Sequence, residues 1–281
     1  MSHFSIAGMQ LSLPCGDNLA TIGEEITKTK KRFPWVDMIV LSELLTYGPE
    51  KKYAEKFPSK AESYYCNLAK ELNIWLIPGS DYEVDGDDIF NTTSVINNEG
   101  VVIKRYRKIY PFYPYESGVS CGQDFVVFDV PQGRIGVAIC YDLWFPEVAR
   151  SLTCMGAEVL IYPTLTGTID RKVELSMAQA TAAMNQCYVF TVNGLGEYGN
   201  GKSIIVAPDG SVIHQAGINK EVFPVEIDFS LVRRNRERGL HGLGQPLKSF
   251  RDNTISFDFA TEVERKESKL NQLGPLAIPK N

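Results

Sequence analysis

The sequence predicts an α/β domain on two observations. Short apolar runs suited to buried strands alternate with amphipathic helix patterns. The same succession of strand, helix and hairpin then recurs in both halves of the 281-residue chain, with no obvious linker between them. Such a length fits one large domain or two small ones. The repetition without a seam predicts one domain over residues 1–250, built from two similar halves, and a tail over residues 251–281.

Residues 4–11 read as a strand ended by Pro14-Cys15-Gly16. Asp17 suits the N-cap of a helix that carries Leu19, Ile22, Ile26 and Phe33 on one face and lysines on the other. The continuous apolar run Met38-Ile39-Val40-Leu41 predicts a strand covered on both faces. A helix over residues 59–72 and a strand over 75–78 follow. Strand-like runs at 89–96 and 101–106 join through Asn97-Asn98-Glu99-Gly100, a hairpin turn. The strand at 125–130 turns at Gln132-Gly133 into 135–139, and a helix is expected over 146–155. The alternation then repeats as strand 159–162, helix 171–185 and strand 188–192. A hairpin over 203–206 and 212–215 turns through Pro208-Asp209-Gly210. Beyond Arg251 the apolar periodicity fades, leaving either a frayed end or an arm that lies on a partner subunit.

Composition narrows the function. Hydrophobic residues at 44% and charged residues at 22% are ordinary for a globular protein. A net charge of −5, from 34 acidic against 29 basic residues, argues against a broad cationic surface, so neither nucleic acid nor an anionic membrane is an expected partner. No run of 18 apolar residues occurs, and Met1-Ser2-His3-Phe4 does not open a signal segment, which predicts a soluble, cytoplasmic protein. The six cysteines are scattered without a C-x-x-C pair, so reduced, mostly buried thiols are expected rather than a metal site. Three histidines leave little room for imidazole chemistry.

Two motif matches fail on context. Gly196-Glu197-Tyr198-Gly199-Asn200-Gly201-Lys202-Ser203 fits a phosphate-binding loop, but such a loop needs a helix at its exit. Here the β-branched run Ile204-Ile205-Val206 leads into a turn, so a glycine-rich hairpin loop is the better reading. Gly118-Val119-Ser120-Cys121-Gly122 fits a serine-hydrolase elbow, yet a strand follows it instead of a helix. The sequon Asn91-Thr92-Thr93 has no consequence in a cytoplasmic chain.

Three segments place reactive side chains just past strand ends, where open α/β sheets build their sites. Glu43 follows the run 38–41, Lys108 follows 101–106 with Glu116 beyond it, and Cys140 ends the strand at 135–139. Taken singly these are a loop carboxylate, a solvated cation and a thiol closing a core strand, each ordinary. Taken together they meet a chemical need. A thiol at a strand-to-helix turn can have its pKa lowered by nearby amides, a buried carboxylate can act as base, and a lysine can stabilise an oxyanion. At about 4 Å and an effective dielectric near 20, a lysine–oxyanion pair is worth about 4 kcal/mol before desolvation.

With those residues in that order, the sequence resembles the nitrilase superfamily of carbon–nitrogen hydrolases over about residues 3–250, whose signature segments centre on a Glu, a Lys and a Cys. The resemblance implies a four-layer αββα sandwich with two-fold internal pseudo-symmetry. It also implies amide hydrolysis through a thioester acyl-enzyme, without cofactor or metal. Family members pair through the helices beside the nucleophile, often with C-terminal arms, so a homodimer or higher homo-oligomer is expected.

Within the family, Tyr141-Asp142 after Cys140 looks like the amidase and carbamoylase branches, since true nitrilases usually have Trp-Glu there. Glu116, eight residues past Lys108, matches a second functional glutamate of aliphatic amidases and formamidases, although Cys121 replaces a proline of that segment. Many carbamoylases and ω-amidases carry an arginine four residues after the nucleophile, whereas this chain has Trp144. A guanidinium fork grips a carboxylate and an indole cannot. The expected substrate is therefore a small, uncharged or aromatic amide held among Tyr47, Tyr113, Tyr115, Tyr141, Trp144 and Thr164. An N-carbamoyl amidohydrolase, an ω-amidase and a catalytically silent scaffold are the alternatives.

Overall fold

The computed structural model describes residues 2–257, 260–273 and 276; the rest of the expected tail lies outside the described residues. The first half runs β1 (His3–Gln10), α1 (Leu19–Arg32), β2 (Met38–Leu41), α2 (Lys60–Leu72), β3 (Trp75–Ile77). These three strands pair in parallel, with the helices as crossovers. The antiparallel strands β4 (Asp81–Asp85), β5 (Asp88–Ile96) and β6 (Val102–Arg107) follow, then the single turn of α3 (Tyr113–Glu116). The second half repeats the pattern. After β7 (Val126–Val130) come β8 (Gly133–Val137), α4 (Pro146–Cys154), β9 (Val159–Thr164), α5 (Arg171–Asn185) and β10 (Tyr188–Asn193), the strands β8, β9 and β10 again parallel. It closes with β11 (Ile204–Val206), β12 (Val212–Gln215), β13 (Glu221–Asp228), α6 (Phe229–Arg238), α7 (Pro246–Asp252) and α8 (Glu262–Glu267).

The strands form two sheets. One has the order β13-β1-β2-β3-β5-β4 with β6 on β5, the other β12-β11-β10-β9-β8-β7. Side-chain alternation then decides the layers. Phe4, Ile6, Met38, Val40, Ile77 and Val95 point between the sheets, where they share a core with Phe128, Ile135 and Val137. Their neighbours Ala7, Met9, Ile39, Leu41, Leu76 and Ile96 point outward, against Leu19, Ile22 and Ile26 of α1 and Ala61, Tyr65 and Leu68 of α2. Leu152 of α4 and Ala178 and Ala182 of α5 cover the second sheet. The result is the αββα sandwich.

Some local expectations change. The N-cap of α1 is Asn18, and Asp17 instead accepts the Leu19 N–H through Oδ1 at 3.0 Å. Past Cys140 the chain makes a 3-10 turn over Cys140–Trp144 before α4 starts at Pro146. One further strand, β13, carries Pro224 and pairs antiparallel with β1 from His3↔Asp228 to Gln10↔Glu221 at the edge of its sheet. A proline is tolerated on an edge, and this one masks the strand pattern. The loop 196–203 does lead into β11, and the stretch 118–122 into β7. All six cysteines are free thiols. Among the described residues, no helix is long and apolar enough to cross a membrane, and no group of three His, Cys, Asp or Glu side chains could hold a metal ion.

Gly79, after β3, has φ +80, and a Cβ there would stand 1.9 Å from the Ser42 carbonyl oxygen. That carbonyl precedes Glu43 directly. Gly79→Ala is expected to cost about 1–3 kcal/mol of unfolding free energy, through left-handed strain and the clash, as read by urea denaturation.

Candidate active site

Glu43 leaves β2, Lys108 leaves β6, Glu116 ends α3 and Cys140 follows β8; all four are buried. The Lys108 ammonium donates to Glu43 Oε1 at 2.8 Å and to Glu116 Oε2 at 2.7 Å. Asn91 of β5 closes the ring, its Nδ2 donating to Glu43 Oε1 and Glu116 Oε1, each at 2.8 Å. The Phe112 N–H adds a bond to Glu116 Oε2 at 2.6 Å. The backbone fixes the remaining freedom: Lys108 N–H donates to the Asn91 carbonyl at 2.8 Å, and Glu43 N–H to the Thr164 carbonyl at 3.3 Å.

The electrostatics follow from burial. Desolvation pushes the Glu43 carboxyl up; Lys108 pulls it down and Glu116 pushes it up again, so that it ends above the 4.5 ordinary for a glutamate. Burial alone would discharge Lys108, but Glu116 and Glu43 outweigh it and hold the ammonium well above its usual range. Burial, then the nearby Glu43 charge, raises the Cys140 thiol well above an ordinary cysteine, with Lys108 opposing. The expectation of a thiol acidified by turn amides is thus corrected. Cys140 rests as a neutral thiol, with the Glu43 carboxylate within its reach.

Asp142 ties two signature segments together. Its Oδ2 accepts the Tyr106 hydroxyl at 2.7 Å and the Ile139 N–H at 2.9 Å, and its Oδ1 accepts the Tyr110 N–H at 2.9 Å. Burial lifts this carboxyl to about 6 against those hydrogen bonds. Cys140 itself has φ +46, a left-handed backbone at a non-glycine residue, which costs about 1–3 kcal/mol that the surrounding structure must offset.

Glu43, Lys108, Glu116 and Cys140 all face one cavity of about 540 Å³. Tyr115, Tyr141 and Trp144 stand on its wall with Leu44, Tyr82 and Phe112. Three expected substrate contacts are corrected. Tyr47 is turned into the core beneath α1 and α2 and stacks on Tyr53 at 5.4 Å. Tyr113 stays off the wall that its α3 neighbours Tyr115 and Glu116 supply. Thr164 donates its hydroxyl to the Tyr162 carbonyl at 3.0 Å and serves the site through its own carbonyl.

Several further residues contribute to the site without a motif that marks them. Asn91 belongs to a sequon that lies fully inside β5, and the run of four buried polar residues Asn91-Thr92-Thr93-Ser94 ahead of Val95 and Ile96 is its signal in the sequence. Thr166 and Glu174 also line the cavity, with Thr166 Oγ1 3.8 Å from Cys140 Sγ and donating to Glu174 Oε1 at 3.1 Å. Arg171 and Glu174 are a buried i,i+3 pair on α5, and that spacing was readable.

Comparison with known proteins agrees with the fold and chemistry. Residues 7–237 match the family model described as carbon-nitrogen hydrolase. Omega-amidase NIT2-A of Xenopus laevis is 32% identical over 222 residues, 70% of this chain and 80% of that protein. The deaminated glutathione amidase of Dictyostelium discoideum is 35% identical over 197 residues, 62% of this chain and 67% of that protein. The crystal structure of Saccharomyces cerevisiae Nit3, a member of branch 10 of the nitrilase superfamily, superposes with a TM-score of 0.78 at 29% identity, covering 84% of this chain and 94% of that one. A carbon-nitrogen hydrolase from Helicobacter pylori shares the fold at a TM-score of 0.82 and 21% identity, over 93% of this chain and 99% of its own. With the two sheets, the four converging side chains and these matches in agreement, the chain belongs to the carbon-nitrogen hydrolases of the nitrilase superfamily, as an amidase-type enzyme acting on carbon–nitrogen bonds other than peptide bonds.

Proposed function

We propose that the chain converts a small, uncharged or aromatic carboxamide into its acid and ammonia through a thioester on Cys140. The observation that carries this reading is Lys108 held at 2.8 Å from Glu43 and 2.7 Å from Glu116 on a cavity wall shared with the thiol. Glu43 accepts the thiol proton as sulfur attacks the carbonyl carbon, and the carbonyl electron pair moves onto oxygen. Lys108 and a backbone N–H at Tyr141 stabilise that oxyanion. Its collapse breaks the C–N bond, Glu43 passes the proton to nitrogen, and ammonia leaves. Water then gives a proton to Glu43 and attacks the thioester; Cys140 leaves as the thiol when that proton returns to it. Glu116 keeps Lys108 charged and orients the amide nitrogen.

The substrate class rests on the wall. Lys108 is the one cationic side chain among the described residues that line the cavity, and both of its carboxylate partners already hold it. A second reading, an omega-amidase or N-carbamoyl amidohydrolase with a carboxylate on its substrate, draws support from the names of the relatives. Ammonia release across formamide, short aliphatic, aromatic, ureido and carboxylate-bearing amides separates the two. Higher kcat/KM for the uncharged members supports the first, and tight turnover of the carboxylate-bearing ones ends it.

The same proposal places the protein in the cytoplasm and makes residues 251–281 an arm in a homodimer or larger homo-oligomer. Exposed Ile255, Val263, Leu270 and Leu273 are apolar side chains that a neighbouring subunit would cover. Truncation after residue 250 is expected to reduce the assembled mass by light scattering, while an unchanged assembly removes the arm.

Cys140→Ala is expected to abolish turnover with an intact unfolding transition. Lys108→Ala should lower kcat by about 10²–10³, the loss typical of an oxyanion donor. Glu43→Gln should prevent thioester formation, seen as absence of an acyl adduct by mass spectrometry. The base must be ionised, so kcat/KM is expected to fall as pH drops through a Glu43 midpoint above 4.5. Removing the Glu116 charge takes away a repulsion that raises Glu43, so in Glu116→Gln that acid limb should move to lower pH.

A further inference from the structure

Beside the nucleophile, α5 carries a carboxylate to which the mechanism above gives no task. Glu174 lines the cavity yet is only 3% exposed. Three donors converge on it. Arg171 Nη1 reaches Oε2 at 3.0 Å, while Thr166 Oγ1 at 3.1 Å and Trp144 Nε1 at 3.3 Å reach Oε1. A guanidinium, a hydroxyl and an indole N–H directed at one planar anion form the set by which proteins recognise carboxylates. The cradle is rigid. Arg171 is 1% exposed, and its Nη2 is fixed at 2.8 Å by both Thr191 Oγ1 and the Lys202 carbonyl, while its Nε has no partner. Thr166 is held in turn by its N–H to Asn193 Oδ1 at 2.8 Å. Its hydroxyl lies 3.8 Å from Cys140 Sγ, so the cradle adjoins the reacting atom.

We propose that Glu174 is an internal occupant of a three-donor carboxylate niche, and that by filling it this side chain bars carboxylate-bearing substrates from the cavity. The niche has a guanidinium suited to such substrates, but α5 supplies its own anion from three residues further along the same helix. The occupant also makes Glu174 a positioning residue, because it holds Thr166 beside the sulfur and Trp144 on the cavity wall. A free carboxylate entering the cavity finds the Arg171 charge already matched by Glu174, where an open niche would offer attraction. The inference rests on the reading that uncharged amides are the substrates, and its test is arranged to fail separately from that reading.

Glu174→Ala empties the niche, and formate is the probe. In that variant formate is expected to raise the thermal unfolding midpoint saturably, beyond any rise in the wild type, and to restore part of the lost kcat on an uncharged amide; chloride should do neither. The double variant Arg171→Met/Glu174→Ala should lose both responses. Formate stabilisation that is absent, or equal in the double variant, overturns the niche. Should Glu174→Ala lack a folding transition, Glu174→Gln keeps the volume and removes the charge. Its ratio of kcat/KM for carboxylate-bearing over uncharged amides is then expected to rise by about tenfold or more, since the Arg171 charge is no longer matched. An unchanged ratio overturns the proposal. A wild-type preference for carboxylate-bearing amides strikes instead at the substrate reading, while formate binding in Glu174→Ala still reports on the niche by itself.

Discussion

A single buried ammonium shared by two carboxylates is the constraint around which the site is organised. Lys108, Glu43 and Glu116 are each nearly inaccessible to water, and desolvating such charges costs several kcal/mol per ion unless hydrogen bonds replace the lost solvent. The fold supplies those bonds from four separate elements. β2 brings Glu43, β6 brings Lys108, α3 brings Glu116 and β5 brings Asn91, whose amide spends both N–H bonds on the two acids. The cost shows on Asn91 itself, whose Oδ1 is buried without a partner. Two anions around one cation leave the cluster with an excess negative charge, and that excess keeps Lys108 charged while making Glu43 reluctant to ionise.

The same excess governs the sulfur. A thiolate beside Glu43 in a buried site is unfavourable, so the Cys140 sulfur holds its proton at rest. Under the proposed mechanism, that keeps the nucleophile unreactive between turnovers. Asp142 coordinates the two halves of the machinery, because one carboxylate clamps both the approach to Lys108, through Tyr106 and Tyr110, and the turn that presents Cys140, through Ile139.

The strands and helices that carry the site were legible because both periodicities are strong there. Met38–Leu41 is buried throughout, and Ile22 and Ile26 of α1 meet the core as their spacing requires. Glu43, Lys108, Glu116 and Cys140 stood out by lying past strand ends in the right order. What stayed hidden depends on contacts that no local pattern encodes. Asn91 matters because a hairpin brings it under Lys108. Tyr47 and Tyr115 look alike in a sequence, but one packs beneath helices and the other faces the cavity. The strand β13 escaped because an edge position tolerates Pro224 and alternating charges, and its pairing partner lies more than two hundred residues away.

The left-handed backbone at Cys140 has a bearing on how such a protein ages over generations. L-residues with a side chain are uncomfortable there, and glycine or asparagine is not. A lineage released from catalysis would find an immediate gain in robustness by substituting either one, at the cost of the sulfur. Under the proposed mechanism, selection for turnover and selection for a sturdier fold would therefore pull this one position in opposite directions.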